Sequence, residues 1–85
     1  MDELIEEYAS LLLTIDEIAM LVNVDAAELR RDIRFNKTSR AKAYNRGKLK
    51  TIVEVRKQTV MFAKKGSPAA EALMYDYIIK QKQNE

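Results

Sequence analysis

Two glycines and one proline are the only conformationally special residues among 85, and Gly66 and Pro68 lie within three positions of each other. Hairpin-rich folds need Gly, Asn or Pro at each reversal, so this chain has little material for one. Its composition, 47% apolar and 33% charged, is instead that of amphipathic helices. A length of 85 residues bounds it to one small domain, or a domain and an arm. Cysteine and histidine are both absent, which removes disulfides, thiolate zinc sites and the usual neutral-pH general base. Zinc fingers, Ser-His triads and haem pockets are thereby excluded. The opening MDELIEEY is acidic, unlike a signal or transit peptide. No apolar run approaches the roughly 20 residues of a membrane span. The expectation is an all-α, cytoplasmic, non-membrane protein that is not an enzyme and carries no metal or cofactor.

Charge is strongly segregated along the chain. Residues 1–28 carry eight acids and no base, a charge of −8. Residues 29–65 carry thirteen bases against Asp32 and Glu54, or +11, and the remainder carries −1. Such asymmetry points to a polyanion or an acidic protein surface as partner. The plainer alternative is that acidic and basic helices neutralise one another, within or between chains.

Apolar spacing and capping signals divide the chain into five helices. Residues 2–12 set Leu4, Ile5, Tyr8, Leu11 and Leu12 at helical intervals. Thr14 with Glu17 three residues later forms a capping box for a second helix, whose inner face is Ile15, Ile18, Ala19 and Val22. Asn23 suits a left-handed exit. Asp25, again with Glu three positions on, opens a third helix with Leu29 and Ile33 inward. Thr38 or Ser39 caps a fourth segment running to Lys65, with Gly47 either a weak point or a site of close helix approach. Gly66 stops it, Ser67 caps a fifth helix over residues 68–82, and Pro68 takes its first turn. Met20, Met61 and Met74 read as gap-filling core.

Residues 14–31 carry the most information. Ala19 is small enough for two helices to cross closely, Asn23 accepts positive φ, Val24 plugs the corner and Leu29 closes the core. This spacing resembles the helix-turn-helix of DNA-binding proteins, whose second helix enters the major groove. Asn23 stands where glycine is commonest, and Asp32 where an apolar residue is usual. An ordinary pair of capped helices is the alternative, and Asp25 and Glu28 are poor base readers. The candidate DNA contacts are Arg30, Arg31, Arg34, Lys37, Arg40 and Lys42, since arginine suits bidentate contact to guanine or phosphate.

The second half reads as a long basic helix, a Gly-Ser-Pro corner and a shorter helix folding back, a helical hairpin. Its long helix is apolar on two adjoining stripes, and one short partner cannot cover both. Val55, Phe62, Tyr75 and Ile79 are therefore candidate oligomerisation residues, unless the N-terminal helices cover them. The domain reading is 1–37 as a helix-turn-helix DNA-binding unit and 38–85 as the oligomerising hairpin. Clustered carboxylates such as Glu3, Glu6 and Glu7 read as solvated helix faces and helix-start charges rather than metal ligands. The sole Gly-Lys pair, Gly47-Lys48, lacks the rest of a phosphate-binding loop.

The helix-turn-helix spacing, Tyr44-x-x-Gly47-Lys48, the basic helix from Leu49 to Ala63, and residues 63–69 (AKKGSPA) together resemble the small terminase subunits of tailed phages and prophages. The resemblance covers about residues 12–79. It implies recognition of packaging-site double-stranded DNA, ring-like homo-oligomerisation through the hairpin, and a separate terminase large subunit holding the ATPase and nuclease. It also implies a phage- or prophage-encoded protein in a bacterial host cell. The alternatives are a small helix-turn-helix transcriptional regulator, dimeric on a palindromic site, and a helical protein–protein adaptor with a basic face.

Overall fold

The computed structural model describes Met1–Glu85 and is all-helical: α1 Asp2–Ser10, α2 Ile15–Val22, α3 Ala26–Phe35, α4 Ser39–Lys64 and α5 Pro68–Gln83. Local signals in the sequence account for most of the boundaries. At α2 the capping box is complete: the Glu17 N–H donates to Thr14 Oγ1 at 3.2 Å, and the Thr14 N–H donates to Glu17 Oε1 at 2.9 Å. Asn23 leaves α2 in the left-handed conformation (φ 58°), and the Val24 N–H then donates to the Ala19 carbonyl at 3.0 Å. The Asp25 carboxylate accepts from the Ala27 N–H at 2.9 Å. Glu28 does not complete a second box there; its carboxylate meets Arg40 on α4. Thr38 rather than Ser39 caps α4, accepting from the Ala41 N–H at 3.2 Å. Gly66 (φ 93°) ends that helix region, and Ser67 accepts from the Ala70 N–H to start α5.

The chain forms two compact units, Met1–Ile52 and Val53–Glu85. The division falls inside α4 rather than near residue 37, because the first half of α4 is built into the first unit. Ala41, Ala43 and Gly47 are buried there, small residues that let helices approach closely. In that unit α2 packs against both α1 and α3. Its core is Ile5, Ala9, Ile18, Ala19, Val22, Leu29 and Ala43, flanked by partly buried Tyr8, Val24, Ile33 and Tyr44. The inward set expected of α2 and α3 is thus the observed one.

Two further expectations fail. Met20 is 83% exposed and Met61 45%, so neither fills the core, although Met74 is partly buried. On the short α2 the inner stripe is already taken by Ile18, Ala19 and Val22, and Met20 lies off it. The first helix ends at Ser10 rather than at residue 12, and Leu12 adopts φ 62° in the turn that follows. Nothing in a leucine signals that conformation.

In the second unit Ala63 and Ala70 are the buried residues, and the Arg56 guanidinium lies 4.5 Å from the centroid of the Tyr77 ring. Val55, Phe62, Tyr75 and Ile79 are each half exposed or more.

Candidate nucleic-acid interface

Helix α3 is fixed at both ends, and that fixes the direction of its basic side chains. Asp25 caps its start. Its end is held by Asn36, which adopts φ 51° and donates its N–H to the Asp32 carbonyl at 2.9 Å. The Asn36 side-chain carbonyl in turn accepts from Asn45 Nδ2 on α4 at 3.0 Å. Leu29 is fully buried beneath the helix, and Ile33 partly so.

The six sequence-derived contacts fall into three environments. Arg31, Arg34 and Lys37 are exposed and make no ion pair. Arg30 is exposed but pairs with Asp16 of α2. Arg40 is the least accessible, its side chain 21% exposed: Nε donates to Asp32 Oδ2 at 2.5 Å, and a second nitrogen lies 3.3 Å from Glu28 Oε1. The Asp32 hydrogen bond raises the Arg40 pKa further, with Glu28 adding a smaller push in the same direction. This clamp explains Asp32, the residue out of place for an apolar helix face: it ties α3 to α4 through Arg40. Lys42 is exposed and unpaired, but lines a different recess, with Asp2, Glu6 and Arg46 among its neighbours.

The residue that the sequence reading omitted is Phe35, 61% exposed at the end of α3. Together with Ala27, Arg30, Arg31 and Arg34 it lines an open recess of about 540 Å³. Its only signal in the sequence is a large apolar residue directly after Arg34, which reads equally well as core.

A second electrostatic arrangement decides which bases stay available. The acidic α1 lies across the first half of α4, where the Glu6 carboxylate accepts from Arg46 Nη1 at 2.9 Å and from Lys50 Nζ at 2.7 Å. These bonds, Lys50 first and Arg46 second, hold the Glu6 carboxyl below its ordinary pKa. The Thr51 hydroxyl donates to the Ser10 carbonyl alongside. Arg46 and Lys50 are therefore engaged within the chain, while Arg31 and Arg34 of α3 are not. Tyr8 and Tyr44 pack against the core and present no stacking platform. No three His, Cys, Asp or Glu side chains gather as metal ligands. No helix is long and apolar enough to cross a membrane. In comparisons with known proteins, no protein-family model, no curated protein and no solved structure matches this chain.

Proposed function

We propose that this chain is a non-catalytic protein that binds duplex DNA, with α2 and α3 acting as a helix-turn-helix and α3 as its reading helix. The observation that carries the reading is the pair Arg31 and Arg34, exposed and unpaired in the lining of a recess that contains no acidic residue. Three acids of α2 and α3 are paired within the chain, Asp16 with Arg30 and both Asp32 and Glu28 with Arg40, and the Asp25 carboxylate is engaged as the α3 cap. That weakens the electrostatic objection to an α3 beginning Asp25-Ala26-Ala27-Glu28, since Glu28 is paired. Asn23 in the left-handed turn and the close Ala19 and Leu29 packing support the same assignment.

The finer assignment rests on the motif resemblance. In it the DNA is packaging-site DNA of a phage or prophage, the chain acts in the bacterial cytoplasm, and its protein partner is a terminase large subunit. Self-association belongs to the second unit, whose apolar side chains Val55, Phe62, Tyr75 and Ile79 stay exposed in a single chain.

The test is fluorescence anisotropy on a labelled duplex across a salt series. Binding should weaken steeply with salt as counterions are released. Replacing Arg31 and Arg34 together by Ala should flatten the log–log salt dependence by about 1.8, at roughly 0.9 per phosphate contact. Absence of binding at low salt, or a double variant indistinguishable from the parent, would sink the proposal.

A further inference from the structure

The recess on α3 is lined by three arginines and by the apolar side chains of Ala27 and Phe35, and this combination is more specific than a phosphate-binding patch. Ala27, Arg31 and Phe35 follow one another at intervals of four, with Arg30 and Arg34 at three and seven from Ala27, so all five share one helix face. Arg30 is engaged by Asp16, which leaves Arg31 and Arg34 as the free cations of the recess. Phe35 is exposed, yet it is not on a loose segment. The next residue, Asn36, is bonded to both Asp32 and Asn45, and Asp32 is bonded to Arg40. The backbone that carries the ring is therefore fixed before any ligand arrives, so little backbone freedom is lost on binding.

A ligand complementary to this face must offer both anionic groups and a protruding apolar group. In the major groove of duplex DNA the apolar group that protrudes is the methyl on carbon 5 of a pyrimidine, thymine in ordinary DNA. We infer that Phe35, at the α3 end of this recess, receives a pyrimidine 5-methyl group while Arg31 and Arg34 hold the neighbouring phosphates. The inference rests on the DNA-binding reading above and adds a base-level preference to it. Phosphate contacts position the protein and carry no sequence information, whereas this contact does. It also gives Phe35 a role that neither the core nor a salt bridge supplies.

Two matched pairs of duplexes test it: alternating d(AT) against d(AU), and alternating d(GC) against the same duplex with 5-methylcytosine. Each pair differs in the major groove only by the methyl group. The intact chain should bind the methylated member of both pairs about fourfold more tightly for each methyl seated, the equivalent of roughly 0.8 kcal/mol per buried methyl-sized group. Phe35→Ala should abolish the preference and leave the salt dependence unchanged. Phe35→Leu, which keeps an apolar side chain, should retain part of it. Circular dichroism of both variants should match the parent, because the ring lies outside the core. Salt-sensitive binding with equal affinity within each pair, or a preference that survives Phe35→Ala, overturns the inference and leaves the DNA-binding reading standing. Absence of binding to all four duplexes overturns both.

Discussion

Gly47 of α4 lies directly beneath the backbone carbonyl of Glu6 on α1: a Cβ added to the glycine would sit 2.1 Å from that oxygen and 3.1 Å from Ala9 Cβ. The glycine is therefore the notch through which α1 seats on α4. In an exposed helix interior Gly→Ala gains about 1 kcal/mol. Here the obstructing atom belongs to a helix backbone and cannot swing aside. Gly47→Ala should lose on the order of 3 kcal/mol as the core is overpacked, a large share of what a small domain has. Urea denaturation followed by circular dichroism measures it; a variant as stable as the parent would mean that α1 and α4 do not meet at this point.

The Glu6 bridge makes α1 sensitive to acid. Its folded pKa lies below the ordinary carboxylate value because Lys50, then Arg46, hold the ionised form. The contribution is complete above the ordinary glutamate value of 4.5 and disappears as pH falls through the lowered folded value. Glu17, held below its ordinary value chiefly by the Thr14 N–H, titrates in the same sense. Glu6→Gln should therefore flatten the acid limb of the stability curve below about pH 4.5 without removing it. Thermal melts from pH 3 to pH 7 report this. An unchanged acid limb would count against the bridge.

Arg40 and Lys42 stand two residues apart and should behave oppositely. Arg40→Ala leaves the half-buried Asp32 without its partner and should cost roughly 1–3 kcal/mol of stability. Lys42→Ala, at an exposed unpaired site, should stay within about 0.5 kcal/mol of the parent. Any effect of Lys42 belongs to the salt-dependent part of DNA binding. Parallel melts and anisotropy titrations separate the two, and equal destabilisation by both would contradict the Asp32–Arg40 clamp.

Replacement of Val55 or Phe62 by Asp should hold the protein monomeric, since an unpaired charge in an apolar contact is costly. The core around Ile18, Ala19 and Leu29 shares no side chain with either position, so the first unit should stay folded. DNA binding should weaken with the loss of valency. Light scattering coupled to size exclusion is the direct measurement. A parent protein monomeric across micromolar concentrations would refute assembly through this surface.

The sequence disclosed the parts of this fold that are local. Thr14-x-x-Glu17, Asn23, Asp25 and Gly66-Ser67-Pro68 each act within a few residues, and each does in the structure what its chemistry dictates. The inward faces of α2 and α3 follow from spacing for the same reason. The Arg40 clamp on Asp32 and Glu28, and the Glu6 bridge to Arg46 and Lys50, were not legible because they join different helices. Arg40 consequently ranked among the outward cations in the sequence while its side chain turns inward in the structure. Leu12 escaped because its left-handed turn is imposed by the chain around it. Phe35 escaped because an apolar residue at a helix end reads as ordinary core until its exposure is known.

The seating of α1 on α4 also sets an order of events during synthesis. Glu6 and Ser10 find their partners Arg46, Lys50 and Thr51 at separations of 40, 44 and 41 residues. At a ribosomal rate of roughly 5–20 residues per second, the gap between them is about 2–8 s. Throughout that interval the nascent α1 has α2 to lean on but no α4, and nine residues are too few for a lasting helix in water. The notch that seats α1 does not exist until Gly47 has left the ribosome. A stalled or truncated chain lacking α4 would leave Ala9 without the Gly47 surface that covers it, open to whatever quality-control factor samples nascent chains.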